Sequence, residues 1–182
     1  MNHLTMPELE AGLATICQSP REAGVLELIV RRAQTDVREI LDEAELDLDA
    51  GLVGDNWSTR RSGSTADGLA NPDRQLTIMN ARVIALVAQE KERWPLAGDQ
   101  LFIDLDLSTS NVPPGTRLAL GSAMIEVTAP PHIGCKKFSG RFGVEALRFI
   151  NSPEGKQLQL RGVNAKVVQP GLIRVGDMAR KM

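Results

Sequence analysis

Residues 117–120 and 123–128 are two short apolar runs separated only by Gly121-Ser122, and this pairing constrains the chain more than any other feature. A two-residue loop with Gly at its first central position joins antiparallel strands in a tight hairpin. Comparable runs recur between turn residues. Residues 24–32, 76–79 and 101–107 read as strands, the last because apolar residues alternate with Asp104 and Asp106. Residues 36–41 and 44–48 also alternate and read as two strands, with one short helix as the alternative. Pro113-Pro114-Gly115 is a turn, and residues 163–168 and 172–175 around Pro170-Gly171 read as a last hairpin.

Helical signals are fewer. Residues 8–16 carry leucine and alanine at helical spacing and are stopped by Pro20. Asn80 opens a run with Val83, Ile84, Val87 and Ala88 on one face, as an N-cap does. Residues 142–150 read as a third helix. Residues 51–59 read as a loop, and the polar stretch 60–71 as an exposed, mobile one. Regular strand–helix alternation is absent, which argues against a doubly wound parallel sheet. The expected fold is mainly β: a barrel with a few peripheral α-helices, residues 1–23 forming an N-terminal helical extension and 24–182 the barrel domain.

With 182 residues the chain has room for one substantial core. A net charge of −2 and only two Trp, four Phe and no Tyr argue against a nucleic-acid surface. No apolar run approaches the length of a membrane span, and no signal pattern opens the chain. A cytoplasmic protein acting without membrane or nucleic acid is the expectation. The two cysteines, Cys17 and Cys135, make no disulfide framework, and with only His3 and His132 a histidine-rich metal site has no ligands to draw on.

The segment Thr128-Ala-Pro-Pro-His-Ile-Gly-Cys-Lys-Lys-Phe138 leaves a strand through two prolines and reaches Cys135 just before an expected helix. A cysteine at such a junction, beside Lys136, Lys137 and Arg141, is favoured as thiolate, the form that attacks sulfur and ligates metal. His132 would polarise it or serve as acid or base, or would simply satisfy loop carbonyls. The competing reading of Cys135 is a packed structural thiol. Cys17 follows an apolar run and reads as such a core cysteine. Cysteine-hydrolase chemistry needs an oriented base that two histidines, one of them only three residues from the thiol, do not provide.

Six segments in order resemble the MOSC domain family, named for the C-terminal domain of molybdenum cofactor sulfurases. They are Gly51-Leu-Val-Gly-Asp55, Arg74-Gln-Leu-Thr-Ile78, Gly98-Asp-Gln-Leu-Phe-Ile-Asp-Leu-Asp-Leu-Ser108, Asn111-Val-Pro-Pro-Gly115, Pro131-His-Ile-Gly-Cys-Lys-Lys-Phe138 and Arg161-Gly-Val-Asn-Ala-Lys-Val-Val-Gln-Pro-Gly171. The resemblance implies a β-barrel presenting Cys135 to a molybdenum-pterin cofactor, as a metal ligand or as a persulfide carrier. It also implies a sulfur-donor or electron-donor protein as partner, since nothing here resembles a lysine-bearing pyridoxal phosphate site or a ferredoxin-like cysteine cluster.

Such a cofactor is strongly anionic, and arginine forks match phosphate oxygens. Lys137 and Arg141, beside Cys135, are the first contacts expected, with Arg60, Arg61, Arg74, Arg82 and Arg161 as further ones. Asp104 and Asn111 are candidates to hydrogen-bond a pterin, against turn and capping roles. Asp55 and Asn80 face the same choice, Asn80 leaning towards its helix cap.

Overall fold

The computed structural model describes residues 3–60 and 65–182. Its strands, in chain order, are β1 (Ala23–Arg31), β2 (Glu39–Leu41), β3 (Glu43–Asp47), β4 (Gly51–Leu52), β5 (Leu76–Asn80), β6 (Leu101–Ile103), β7 (Arg117–Leu120), β8 (Ala123–Val127), β9 (Val163–Gln169), β10 (Gly171–Arg174) and β11 (Met178–Lys181). Seven of them close on themselves in the order β11-β7-β8-β9-β5-β6-β1, with β1 returning to β11, and β2 extends the wall beyond β1. Among these pairings β5–β6 is parallel, as its helical crossover requires, and the others are antiparallel. The molecule is thus a closed, mixed β-barrel with a few helices. The Gly121-Ser122 hairpin forms as expected, pairing Leu120 with Ala123.

Strand alternation sorts the apolar residues into two cores. Leu76 and Ile78, and Leu101 and Ile103, face the barrel interior. Met79 and Phe102 face outward and pack under helices. On β1 a register irregularity between Leu26 and Leu28 lets Leu26 and Ile29 both point inward while Leu28 and Val30 point out. A bulge inserts one residue and so shifts the phase of the alternation.

The helices are α1 (Met6–Ala11), α2 (Leu13–Ile16), α3 (Ala81–Ala88), α4 (Lys136–Phe142), α5 (Val144–Asn151) and α6 (Pro153–Gln157). Leu9 and Ile16 from the first two reach the outer core, where α3, α4 and α5 bury Val83, Ile84, Phe138, Phe142, Phe149 and Ile150. Each such side chain contributes about 1.5–3 kcal/mol by leaving water. The Asn80 side chain accepts from the N–H groups of Arg82 and Val83, the cap its position suggested.

Four expectations need correction. Strand β10 does not form a hairpin with β9: β8 and β5 occupy both edges of β9, so β10 crosses to β3 and builds a separate three-stranded sheet with β3 and β4. Residues 51–52, read as loop, are the third strand of that sheet. The strand expected over 101–107 ends at Ile103, where the Leu105 N–H bonds back to the Ile103 carbonyl and Asp106 turns to Pro20. The single helix expected at 142–150 begins at Lys136 and breaks at Gly143, whose φ of 95° and ψ of 161° are closed to side-chain-bearing residues. The central part of the polar loop, residues 61–64 with Arg61, lies outside the described residues. Among the described residues no helix is long and apolar enough to cross a membrane.

Candidate functional site

Asn164 on β9 pairs with Thr77 on β5, and both face outward, because their neighbours Leu76, Ile78 and Ala165 fill the barrel interior. They form part of a pocket of about 660 Å³ on the outside of the barrel wall. Its lining includes Arg32, Arg38, Arg60, Arg74, Arg141, Arg161 and Lys137, with His132, Cys135, Trp57 and Phe138. Asp36 is the acidic residue in that lining, and it already holds Arg141 at 3.1 Å and Lys137 at 3.5 Å. A concave site of this size with so many cations attracts an anion.

Two of the cations, Arg32 and Arg161, are built in rather than loosely solvated. Arg32, 5% exposed, donates from Nε and Nη2 to the two oxygens of Asp55 at 2.8 Å each, and from Nη1 to the Gly98 carbonyl at 3.2 Å. Asp55 also accepts from the backbone N–H groups of Arg32 and Trp57. It therefore stands behind Arg32 and aims it. Arg161 donates to Asp99 at 2.7 Å and to the Ala97 carbonyl at 3.0 Å, with its guanidinium 5.2 Å from the Phe138 ring centre. The Nε atoms of Arg161 and Arg38 are buried without a partner. Burial first, then the positive charge of Arg141 and Arg32, push the Arg38 guanidinium below its ordinary value. An anion in the pocket would relieve that repulsion.

Cys135 caps α4 and is exposed, with its carbonyl accepting from the N–H groups of Phe138 and Ser139. The segment before it is fixed by Asn151, whose Oδ1 accepts from the Gly134 N–H at 3.1 Å and whose amide donates to the Gly134 carbonyl at 3.3 Å. A side chain at Gly134 would meet Leu147 and Ile150 at 2.7 Å, so close approach to α5, not an unusual φ, is what selects glycine there. Cys17, read as a core cysteine, is exposed at the end of α2.

His132 lines the pocket with its side chain 15% exposed, and its Nδ1 is 3.5 Å from Oδ1 of the fully buried Asp99. Burial, then the charges of Arg161, Arg32 and Arg74, hold the imidazole well below its usual range, so it is neutral at pH 7. Burial raises Asp99, against the pull of Arg161.

Of the residues singled out in the sequence, Cys135, His132, Lys137, Arg141, Arg60, Arg74 and Arg161 come together here. Asp104 does not: it grips Arg82 through both oxygens at 2.7 and 3.0 Å. Asn111 ties the Arg21 and Asp106 carbonyls to Lys181, and Asn80 joins its cap to Ser19 and the Leu105 carbonyl. Sequence reasoning passed over Arg32, Arg38 and Asp99. Arg32 left a signal, a cation ending the apolar run Leu26-Glu-Leu-Ile-Val-Arg-Arg32. Among the described residues no group of three or more His, Cys, Asp and Glu lies close enough to hold a metal ion.

The family model described as MOSC domain matches residues 65–180. Among solved structures, the YuaD protein from Bacillus subtilis is similar at a TM-score of 0.63 and 16% identity, over 86% of this chain and 94% of that one. YiiM from Escherichia coli gives 0.55 at 20% identity, over 87% and 69%. YiiM from Geobacillus stearothermophilus gives 0.54 at 14%, over 89% and 73%. At these identities the structures show the fold. No curated protein matches the chain.

Proposed function

The chain belongs to the MOSC domain family, which is associated with binding of the molybdenum cofactor, and from that premise we propose that its pocket holds this cofactor with Cys135 as the sulfur presented to it. The observation that carries the reading is the gathering of six arginines and Lys137 around Cys135, with buried Nε atoms of Arg38 and Arg161 still lacking acceptors. That donor set fits a phosphate-bearing, anionic ligand. Arg32, Arg38 and Arg161 would hold its oxygens, since planar forks match phosphate and carboxylate geometry. Cys135 is the sulfur of the lining that would reach a metal carried by such a cofactor.

When bound, the cofactor supplies a redox-active metal. The protein's own part is to hold the anion, aim Arg32 through Asp55 and keep the Cys135 thiol at the mouth. Two chemistries use these parts: reduction of N-hydroxylated compounds with Cys135 as metal ligand, or carriage of persulfide sulfur on Cys135 to the cofactor. Either needs a partner, an electron-donor or a sulfur-donor protein. A non-catalytic carrier of the cofactor is the reading from another class. The setting proposed is the cytoplasm.

Metal analysis and mass spectrometry of protein made in cofactor-competent cells separate these. Molybdenum near one per chain, lost in Cys135→Ala, is the expected result. Sulfane sulfur on Cys135 without molybdenum would favour carriage. Molybdenum retained by Cys135→Ala would remove the ligand role and leave the carrier.

A further inference from the structure

Two buried polar atoms have no hydrogen-bond partner and face each other: Oδ1 of Asp99, which is not part of the pocket lining, and Nδ1 of the lining residue His132, 3.5 Å apart. Asp99 is fully buried and its other oxygen is taken by Arg161 at 2.7 Å, so Oδ1 has nowhere else to turn. An orphaned carboxylate oxygen in the interior is costly, because nothing replaces the water it gave up. Hydrogen bonds at reactive sites are often long in the empty protein and tighten when a ligand arrives.

We propose that Asp99 is a positioning residue that fixes His132 as the Nδ1–H tautomer, so that Nε2 offers an uncharged acceptor to a ligand N–H or O–H in the pocket. Arginine and lysine donate and cannot accept, so for a ligand that carries a donor beside its anionic groups an uncharged ring nitrogen adds to the few acceptors of the lining, such as Asn164 and Asp36. With Nδ1 turned to Asp99, the edge of the ring left for the pocket is Nε2. The groups facing the ring are Asp99, Arg161, Arg32 and Arg74, three cations against one carboxylate already engaged. That balance opposes an imidazolium, which decides between the two roles open to His132: it accepts rather than donates.

The assignment rests on the cofactor reading only for the identity of the ligand. The dyad itself is tested on the empty protein, by long-range ¹⁵N–¹H correlation NMR of histidine-labelled chain near pH 7.5. With two histidines in the sequence, His3→Gln assigns the signals. The wild type is expected to show His132 protonated at Nδ1. In Asp99→Asn the amide oxygen must face the Arg161 donor, so the NH₂ faces Nδ1, and the proton is expected to move to Nε2. Wild-type His132 protonated at Nε2 overturns the proposal, as does an unchanged tautomer in a folded Asp99→Asn protein. If that variant does not fold, the wild-type tautomer decides alone. Absence of molybdenum from the wild type with the expected tautomer would remove the cofactor reading and leave the dyad standing.

Discussion

Arg32 and Asp55 meet as a two-point ion pair with almost no contact with water, their side chains 6% and 0% exposed. The pair joins the end of β1 to the turn after β4 and turns one face of the guanidinium to the pocket. Its value is therefore geometric: it holds a charge where water would otherwise disperse it. Removing one partner of a buried pair leaves the other uncompensated, at about 3–5 kcal/mol. Asp55→Ala is expected to lose stability on that scale in urea unfolding, and Asp55→Asn, which keeps an acceptor, to lose less.

Asn80 offers a contrast. Its oxygen caps α3 and its amide reaches Ser19 and the Leu105 carbonyl, away from the pocket. Loss of an N-cap costs about 1 kcal/mol, and the abandoned carbonyl adds to that. Asn80→Ala is expected to lower the unfolding midpoint while leaving the molybdenum content per folded chain unchanged. A loss of metal from folded protein would place Asn80 in the site after all.

The pH dependence has a definite sign at His132. Its folded pKa lies well below the 6.5 of a free side chain, so below that pH the unfolded chain binds a proton that the fold refuses. Stability from this residue is complete above pH 6.5 and falls as pH drops from 6.5 towards the folded value. Asp99, raised above 3.8 by burial, acts oppositely, its contribution declining as pH rises through its folded value. His132→Gln is expected to flatten the decline of unfolding free energy between pH 6.5 and 5.5, measured by urea titration at each pH.

At Gly143 the backbone occupies a region that only glycine enters freely, and a side chain there would also meet the His3 ring. Gly143→Ala is expected to cost about 1–3 kcal/mol. The strain falls where α4 hands over to α5, so the variant is also expected to alter the rate at which iodoacetamide modifies Cys135 at fixed pH.

Much of this was legible in the residues. The hairpin at Gly121-Ser122, the strand before Asn80 and the cap itself follow from local chemistry, and local chemistry is what a sequence displays. Cys135 stood out by its setting, between Gly134 and Lys136, and it does line the pocket. What stayed hidden depends on residues far apart. Nothing near Pro170 tells that β10 abandons β9 for β3, because the reason is that β8 and β5 hold both edges of β9. Asp99 looks like any turn aspartate until Arg161 and His132 arrive beside it. Asp104 and Asn111 look available because their partners, Arg82 and Lys181, are remote in the chain.

The ring of strands is closed by β1 and β11, with Ala23 opposite Arg180. During synthesis the early strand must therefore wait, one edge open, until β11 has been made. The pocket inherits that delay. Arg32 is made early, but Arg161 and Asn164 belong to the late segment around β9. No ligand can meet the full set of arginines before the segment carrying Arg161 has been made, so loading of this site follows that segment, open to timing by whatever delivers the ligand.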